Sequence, residues 1–188
     1  TLGAAVTNIP PLDFPDIGED LQKLFQPTVD RLGYFGDFFR YGSHTPQILS
    51  AFMGLSGALK AAIPDDVNET VALAVCTAMD FPYERIQHER LSEKLGLDRD
   101  WIAAMVGRPS AAEITPLQQA ARDLSVAMVE GRHDAARDAA EAVAARGSPS
   151  LAVALLFQAT RFMQVCAVGR TLGMQLARPS IFESNDGR

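Results

Sequence analysis

The sequence predicts an all-α fold, a compact orthogonal or up-and-down bundle of about seven to eight helices. The chain is 47% hydrophobic but only 7% aromatic, and its many alanines suit closely packed helices better than a β-sandwich. No segment alternates polar with β-branched residues as a strand does. Three pairs of a hydroxyl residue and a proline can each begin a helix: Thr45-Pro46, Thr115-Pro116 and Ser148-Pro149.

The start of the chain differs from the rest. Residues 1–15 contain Pro10, Pro11 and Pro15 and have no helical periodicity. We therefore expect an extended arm, of the kind that often packs on a neighbouring subunit. A chain of 188 residues exceeds the modal size of a domain but does not require two cores, so we predict that residues 16–188 form a single domain.

The predicted helices follow in order. The first lies within residues 16–32 and is interrupted at Pro27, since proline removes a backbone donor from a helix interior. After it comes an aromatic cluster that we assign to the core rather than to a pocket, because buried aromatic residues mostly serve packing. Its members are Tyr34, Phe35, Phe38, Phe39 and Tyr41. The other predicted helices are residues 46–62, 65–79, 82–95, 98–106, 116–130, 133–146 and 149–173.

The chain is acidic, with a formal net charge of -6 and an isoelectric point near 5.0. Without a basic stripe, such a chain is repelled by nucleic acid and by anionic membranes, so we expect neither as a partner. We also expect a cytoplasmic protein, because no leader-like start and no apolar run of membrane-spanning length stand out. Cys76 and Cys166 lie in apolar helical stretches and are expected to be buried free thiols.

The segment from Glu69 to His88 places ionisable side chains around one turn between two predicted helices. Glu84 and His88 are four residues apart, so they lie on one face of a helix. Leu91 and Leu95 continue that face, which predicts that the pair points toward the core. The expected outer face consists of Arg85, Glu89, Ser92 and Glu93. Ionisable groups are costly in a core unless they are paired, so these two form either a functional site or a buried structural pair.

Glu69 adds a third ionisable group, at the start of an almost continuously apolar run that we predict to be a buried helix. Asp80 is the predicted N-cap of the next helix, and Pro82 fits its first turn. The two helices would form a hairpin, with Glu84 near the positive end of the second helix, where its ionised form is favoured. His88, one turn later, can then donate to Glu84.

At these positions the chain resembles the carboxymuconolactone decarboxylase and alkylhydroperoxidase-D-like (AhpD-like) family. The signature of that family is a Glu, a Cys-x-x-Cys pair that begins twelve residues later, and a His four residues after the second Cys. Glu69 and His88 fall at that spacing, but Phe81 and Glu84 stand where the two cysteines would be. The thiol peroxidase chemistry of the family is therefore not expected. The chain is similar instead to the cysteine-free, decarboxylase-like branch, over about residues 40–175.

The resemblance implies a cofactor-independent enzyme, similar to carboxymuconolactone decarboxylase, that acts on a small lactone or carbonyl-bearing acid. Its reaction would couple proton transfer to decarboxylation or isomerisation. The expected catalytic residues are Glu69, Glu84 and His88, and the expected substrate-binding residues are Tyr83, Phe81 and His44. A second hypothesis is a non-catalytic oligomeric helical protein, in which Glu84 and His88 only hold the hairpin together.

Two further expectations concern metals and assembly. Di-iron helical bundles use Glu-x-x-His, whereas this chain has Glu84-x-x-x-His88, so we expect no bound metal. The helix predicted at the end of the chain is apolar on several faces between residues 151 and 174, as a helix buried within an oligomer would be. The family resembled forms homo-oligomers, and we expect a trimer or larger assembly that binds a small-molecule substrate.

Overall fold

The computed structural model describes residues 8–176 and 178–183. All regular structure in these residues is helical, which confirms the all-α prediction. A short 3-10 helix, Phe14–Asp16, comes first. The α-helices are α1 (Glu19–Leu32), α2 (Asp37–Gly42), α3 (Pro46–Ala62), α4 (Asp65–Ala78), α5 (Pro82–Lys94), α6 (Arg99–Met105), α7 (Pro116–Val129), α8 (His133–Arg146) and α9 (Pro149–Thr171).

The described residues form two compact units. The N-terminal unit comprises residues 8–58 and 169–175, and the central unit comprises residues 59–168, 176 and 178–183. The predicted arm falls partly on residues 1–7, which lie outside the described residues. The assignment of residues 16–188 to a single domain stays a prediction.

The N-terminal unit has its own core beside α1. Its buried members are Ile17, Leu21, Phe25 and Leu49. Phe35, Phe38 and Phe39 pack against them, with the rings of Phe25 and Phe39 4.7 Å apart, and the core role predicted for these three aromatic residues is confirmed. Phe38 and Phe39 belong to α2, a helix of six residues that was not predicted.

Helix α1 continues through Pro27, so the predicted interruption is wrong. Proline removes the backbone donor that the carbonyl of Lys23 would otherwise bind. Both residues are exposed, and water can replace the missing donor there. The helix ends at Gly33, whose φ of 77° is left-handed and whose N–H donates to the carbonyl of Val29 at 2.7 Å.

Helix α4 is the centre of the central unit, where it packs against α5, α6 and α7. Buried positions cover most of this helix, among them Glu69 and the apolar run that follows it. Leu73 of α4 joins a core cluster with residues of α6, of its C-cap and of the end of the described chain: Trp101, Ile102, Met105, Val106 and Ile181. The prediction of a buried helix here is confirmed.

Helices α4 and α5 pack on each other as the predicted hairpin. Asp80 is not the N-cap of α5, however, because that position is held by Phe81, which makes no side-chain capping bond. Asp80 instead has a φ of 49°, a left-handed conformation that Asp adopts more readily than most residues. The N–H groups of Asp80 and Phe81 donate to the carbonyls of Thr77 and Cys76 and thereby close α4.

The end of the described chain is attached to α5. Nε and Nη2 of Arg90 both donate to the carbonyl of Pro179, at 3.2 Å and 3.0 Å. The hydroxyl of Ser180 donates to the fully buried carboxylate of Glu89 at 2.5 Å. These contacts fix the position of α5, the helix that carries Glu84 and His88.

Helix α9 is the longest helix among the described residues. Its 23 residues contain a window with a mean hydropathy of 1.6, which is long and apolar enough to cross a membrane by length and composition. The prediction that no apolar run reaches membrane-spanning length is therefore wrong for α9. Core helices of soluble proteins pass the same test, and 44% of that window is buried within the structure.

Candidate active site

Glu69 projects from α4 into a buried cluster of hydrogen-bond donors. Its side chain is 1% exposed, and Oε2 lies 2.7 Å from Nδ1 of His88. The hydroxyl of Ser92 also donates to Oε2, at 3.3 Å, and the amide of Asn68 donates to Oε1 at 2.9 Å. An ionised carboxylate is an acceptor only. Three converging donors therefore match the charged form of Glu69.

His88 bridges two carboxylates across the hairpin. While Nδ1 faces Glu69, Nε2 lies 3.5 Å from Oε1 of Glu84, whose Oε2 accepts from the side chain of Gln87 at 3.1 Å. The ring of Phe162 meets the imidazole edge to face, with centroids 4.9 Å apart. Because both ring nitrogens face acceptors, the site is suited to an imidazolium, which has two N–H donors.

The electrostatics agree with this geometry. Burial disfavours the charged imidazole, but the attraction and hydrogen bond of Glu69, followed by the interaction with Glu84, outweigh it and raise the pKa of His88 from 6.5 to about 10. His88 is therefore a cation at neutral pH. As a proton donor it is available throughout the physiological range, whereas the same ring could not act as a base without first losing that proton.

A second cation reaches the site from α9. The guanidinium of Arg161 lies over the ring of Phe162 at 4.1 Å from its centroid, so one buried ring contacts both cations of the site. Nε of Arg161 donates to Oε1 of Gln158 at 2.8 Å. Burial lowers the pKa of Arg161, against the attraction of Glu84 and of Glu69, but a guanidinium remains charged in proteins.

The buried face of α5 differs from the prediction. Glu89 and Ser92, assigned to the outer face, are fully buried, and Leu95, assigned to the inner face, is 43% exposed. The prediction failed because it used apolar residues to identify the buried face. Helix α5 instead buries polar side chains, whose partners lie in α4 and at the end of the described chain. Glu84 and His88 still lie near the interior, each with a side chain that is 13% exposed.

The structure brings the three predicted catalytic residues together, and the predicted substrate-binding residues belong to two different units. Phe81 and Tyr83 are buried, with rings 5.6 Å apart, at the start of α5. His44 belongs to the N-terminal unit. It is exposed there, and its Nε2 lies 2.7 Å from the carbonyl oxygen of Pro10.

The two cysteines are buried free thiols, as predicted. Their sulfur atoms lie 3.8 Å apart, between α4 and α9, a contact that the sequence did not reveal. Burial, and then the contact with Cys166, raise the pKa of Cys76 well above its ordinary value, which disfavours the reactive thiolate. In the described part of the chain, no group of three or more His, Cys, Asp or Glu side chains is arranged to hold a metal ion.

Among the polar residues of the site, Ser92 was assigned to the wrong face, and three others were missed in the sequence: Asn68, Gln158 and Arg161. The signal for two of them was present, since Gln158 and Arg161 are spaced three residues apart within the mainly apolar α9. Such spacing puts two polar side chains on one face of a buried helix. Asn68 stands next to Glu69 in sequence, and nothing in the sequence indicated that it bonds to α9.

The raised pKa of His88 predicts how stability depends on pH. The folded protein holds this proton more tightly than the unfolded chain, so the stabilisation is complete below pH 6.5 and is lost as the pH rises toward about 10. Between about pH 7 and 8.5, the free energy of unfolding should fall by up to about 1.4 kcal/mol per pH unit. Urea denaturation at several pH values measures this slope.

The control for this slope is His88→Gln, which removes the titrating group while keeping a polar side chain. Its free energy of unfolding should be lower than that of the wild type at pH 6.5 and nearly constant over the same range. A wild-type slope that persists in His88→Gln would assign the effect to another group.

Comparisons with known proteins bear on the fold. No family model matches the sequence, and no curated protein matches it. Among solved structures, an AhpD core, an uncharacterized peroxidase-related protein from Ralstonia eutropha JMP134, has a TM-score of 0.74 at 21% identity, over 96% of this chain and 95% of that chain. A similar uncharacterized peroxidase-related protein from Silicibacter sp. TM1040 has a TM-score of 0.76 at 16% identity, over 91% of each chain.

A third similar structure is a variant of the debrominase Bmp8 in complex with 2,3,4-tribromopyrrole. Its TM-score is 0.79 at 16% identity, over 92% of this chain and 93% of that chain. Identities at this level establish the fold and leave the chemistry to be argued from the site itself. The protein has the all-α fold of the AhpD core, as the resemblance of the sequence implied.

Proposed function

We propose that the protein is a cofactor-independent acid/base enzyme of the carboxymuconolactone decarboxylase-like kind. Its substrate is a small lactone or carbonyl-bearing acid, and its reaction is decarboxylation or isomerisation. The observation that carries the proposal is His88, a cation held between the buried Glu69 and the more accessible Glu84. A proton donor beside a carboxylate is the pair that chemistry next to a carbonyl group requires.

The two contacts of His88 are unequal, and this suggests separate roles. The 2.7 Å contact to Glu69 is a short charge-assisted bond. The 3.5 Å contact to Glu84 is longer than an ordinary hydrogen bond. A substrate carbonyl oxygen can replace Glu84 at Nε2, and the Nε2–H group then stabilises the negative charge that develops on that oxygen. Glu69 stays in place as the counter-ion.

Glu84 is the base in this scheme. In an isomerisation, its carboxylate takes a proton from the carbon next to the carbonyl and returns it to another carbon. In a decarboxylation, the electrons of the breaking C–C bond pass to the carbonyl oxygen and CO2 leaves. The carbon then takes a proton from a water molecule that is hydrogen-bonded to the Glu84 carboxylate, and hydroxide is released. Phe81 and Tyr83 are proposed to border the substrate, because they lie three residues and one residue before Glu84.

Thiol chemistry is not part of the proposal. Phe81 and Glu84 occupy the positions of the redox cysteines in the family resembled. Cys76 and Cys166 are fully buried, and the raised pKa of Cys76 opposes thiolate formation. The peroxidase-related and debrominase descriptions of the similar structures therefore stay with those proteins.

A non-catalytic oligomeric helical protein is the alternative. Two facts favour it: the side chains of Glu84 and His88 are each only 13% exposed, and the two carboxylates are balanced by two cations. A buried ionic cluster of this kind can have a purely structural role, in which it fixes one arrangement of the helices.

The two proposals are separated by Glu84→Gln. The amide keeps the shape of the side chain and an acceptor for Nε2 but removes the negative charge that His88 and Arg161 face, so the free energy of unfolding should fall. Turnover by the folded protein should fall by about 10²–10⁴-fold because the base is lost. Proton NMR in D2O, with lactones and 3-oxo acids as substrates, reports both product formation and deuterium uptake at carbon. Glu93→Gln is the matched control, since Glu93 is an exposed carboxylate on the same helix.

Full turnover by Glu84→Gln would remove Glu84 from the mechanism. A wild-type protein that turns over none of these substrates and exchanges none of their C–H protons would favour the structural alternative.

We also propose that the protein is a cytoplasmic homo-oligomer, a trimer or larger, without nucleic acid or membrane partners. The exposed apolar side chains of α9 support assembly, since Val153 and Phe157 are 53% and 57% exposed and lie one turn apart.

Light scattering should give a mass of at least three chains, and the double variant Val153→Ser with Phe157→Ser should lower that mass. A monomeric wild type would contradict this proposal.

A further inference from the structure

Two side-chain amides connect Arg161 on α9 with Glu69 on α4. Nε of Arg161 donates to Oε1 of Gln158 at 2.8 Å, and Nε2 of Gln158 donates to Oδ1 of Asn68. Nδ2 of Asn68 then donates to Oε1 of Glu69 at 2.9 Å. The other oxygen of Glu69 faces His88 at 2.7 Å. The chain of bonds therefore begins at one cation of the site and ends at the other.

The charged ends of this chain determine the direction of every bond in it. A guanidinium has donors only, so Gln158 must turn its oxygen toward Arg161 and its NH2 group toward Asn68. Asn68 must in turn present its NH2 group to Glu69. Reversing either amide would place oxygen against oxygen or donor against donor, and Gln158 is only 2% exposed, so little water is available to relieve such a clash.

Several charged or titratable groups surround His88. Glu69 approaches from α4, Glu84 lies on α5 itself, and Arg161 reaches the site from α9. Cys76, also on α4, interacts with Glu84 and Arg161. Glu69 is the partner with the shorter contact to His88, so whatever holds the Glu69 carboxylate in place also sets how firmly His88 keeps its proton.

We propose that Asn68 and Gln158 are positioning residues, whose polarised amides orient the Glu69 carboxylate toward His88 and connect it to the charge of Arg161. Hydrogen bonds in a chain polarise one another, most strongly where water is excluded. The inference rests on the proposed function, because it explains how His88 is kept as the proton donor. Neither residue touches the reacting atoms in that scheme.

The test is the pKa of His88 in Gln158→Met, measured by NMR titration of the imidazole nitrogens without substrate. Methionine has a similar length but neither accepts from Arg161 nor donates to Asn68. The Glu69 carboxylate is then held less firmly toward His88, so the pKa of His88 should fall by about one unit. Gln164→Met is the matched control, because Gln164 is an exposed residue of the same helix, and it should leave the pKa unchanged.

A second variant, Asn68→Leu, should lower the pKa in the same direction. Since both residues belong to one chain of bonds, the double variant should lower it no further than the larger single change. Asn68 is only partly buried, so this variant carries the test if Gln158→Met does not fold.

A loss of thermal stability without a change in the pKa of His88 would make these residues structural only and would overturn the proposal. So would shifts that add in the double variant, because they would indicate independent effects. The titration needs no turnover, so a protein that fails every activity assay can still confirm the positioning role, and an active enzyme with an unmoved pKa refutes it.

Discussion

The buried carboxylate of Glu69 is the constraint on which the site depends. A carboxylate that is 1% exposed is strongly destabilising unless donors and a cation surround it. His88 supplies the cation, and Ser92 and Asn68 supply further donors. These partners come from α4 and α5, so the hairpin between the two helices must close with His88 opposite Glu69.

The same principle explains why α5 is held in place with so few apolar side chains. Its buried residues are Tyr83, Glu89 and Ser92. Glu89 is paired with Arg85 on its own helix and accepts from Ser180 at the chain end. One buried carboxylate thus attaches α5 to the chain end, and another, Glu69, attaches it to α4. Polar docking of this kind specifies orientation more strictly than an apolar face, because each bond fixes both a distance and a direction.

Local sequence signals predicted most of the fold. Capping residues and prolines identified the start of α7, where Thr115 and Gln118 form a capping box, and the four-residue spacing predicted that Glu84 and His88 would be neighbours. Signals of this kind act within one helix. The short helix α2 lacks them, and the left-handed turn at Asp80 resembles an N-cap in sequence because aspartate suits both positions.

Contacts between residues that are distant in sequence were harder to predict. The sequence predicted that Glu69 would lie in a buried helix. It did not predict that His88 would lie closer to Glu69, across the hairpin, than to Glu84 on its own helix. The wrong face of α5 was chosen because polarity usually marks exposure, and Glu89 is an exception whose partner, Ser180, lies far along the chain. Gln158 and Asn68 are likewise distant in sequence and meet only where side chains of α4 and α9 come into contact.

In this site His88 is a cation shared between Glu69 and Glu84. Nitrogen NMR of the imidazole at pH 8 detects that charge, since an ordinary histidine is neutral there. Both ring nitrogens should carry protons at pH 8, and deprotonation should occur only near pH 10. A neutral ring at pH 8, with one nitrogen unprotonated, would show that His88 is not the cation of the site and would remove its role as the proton donor.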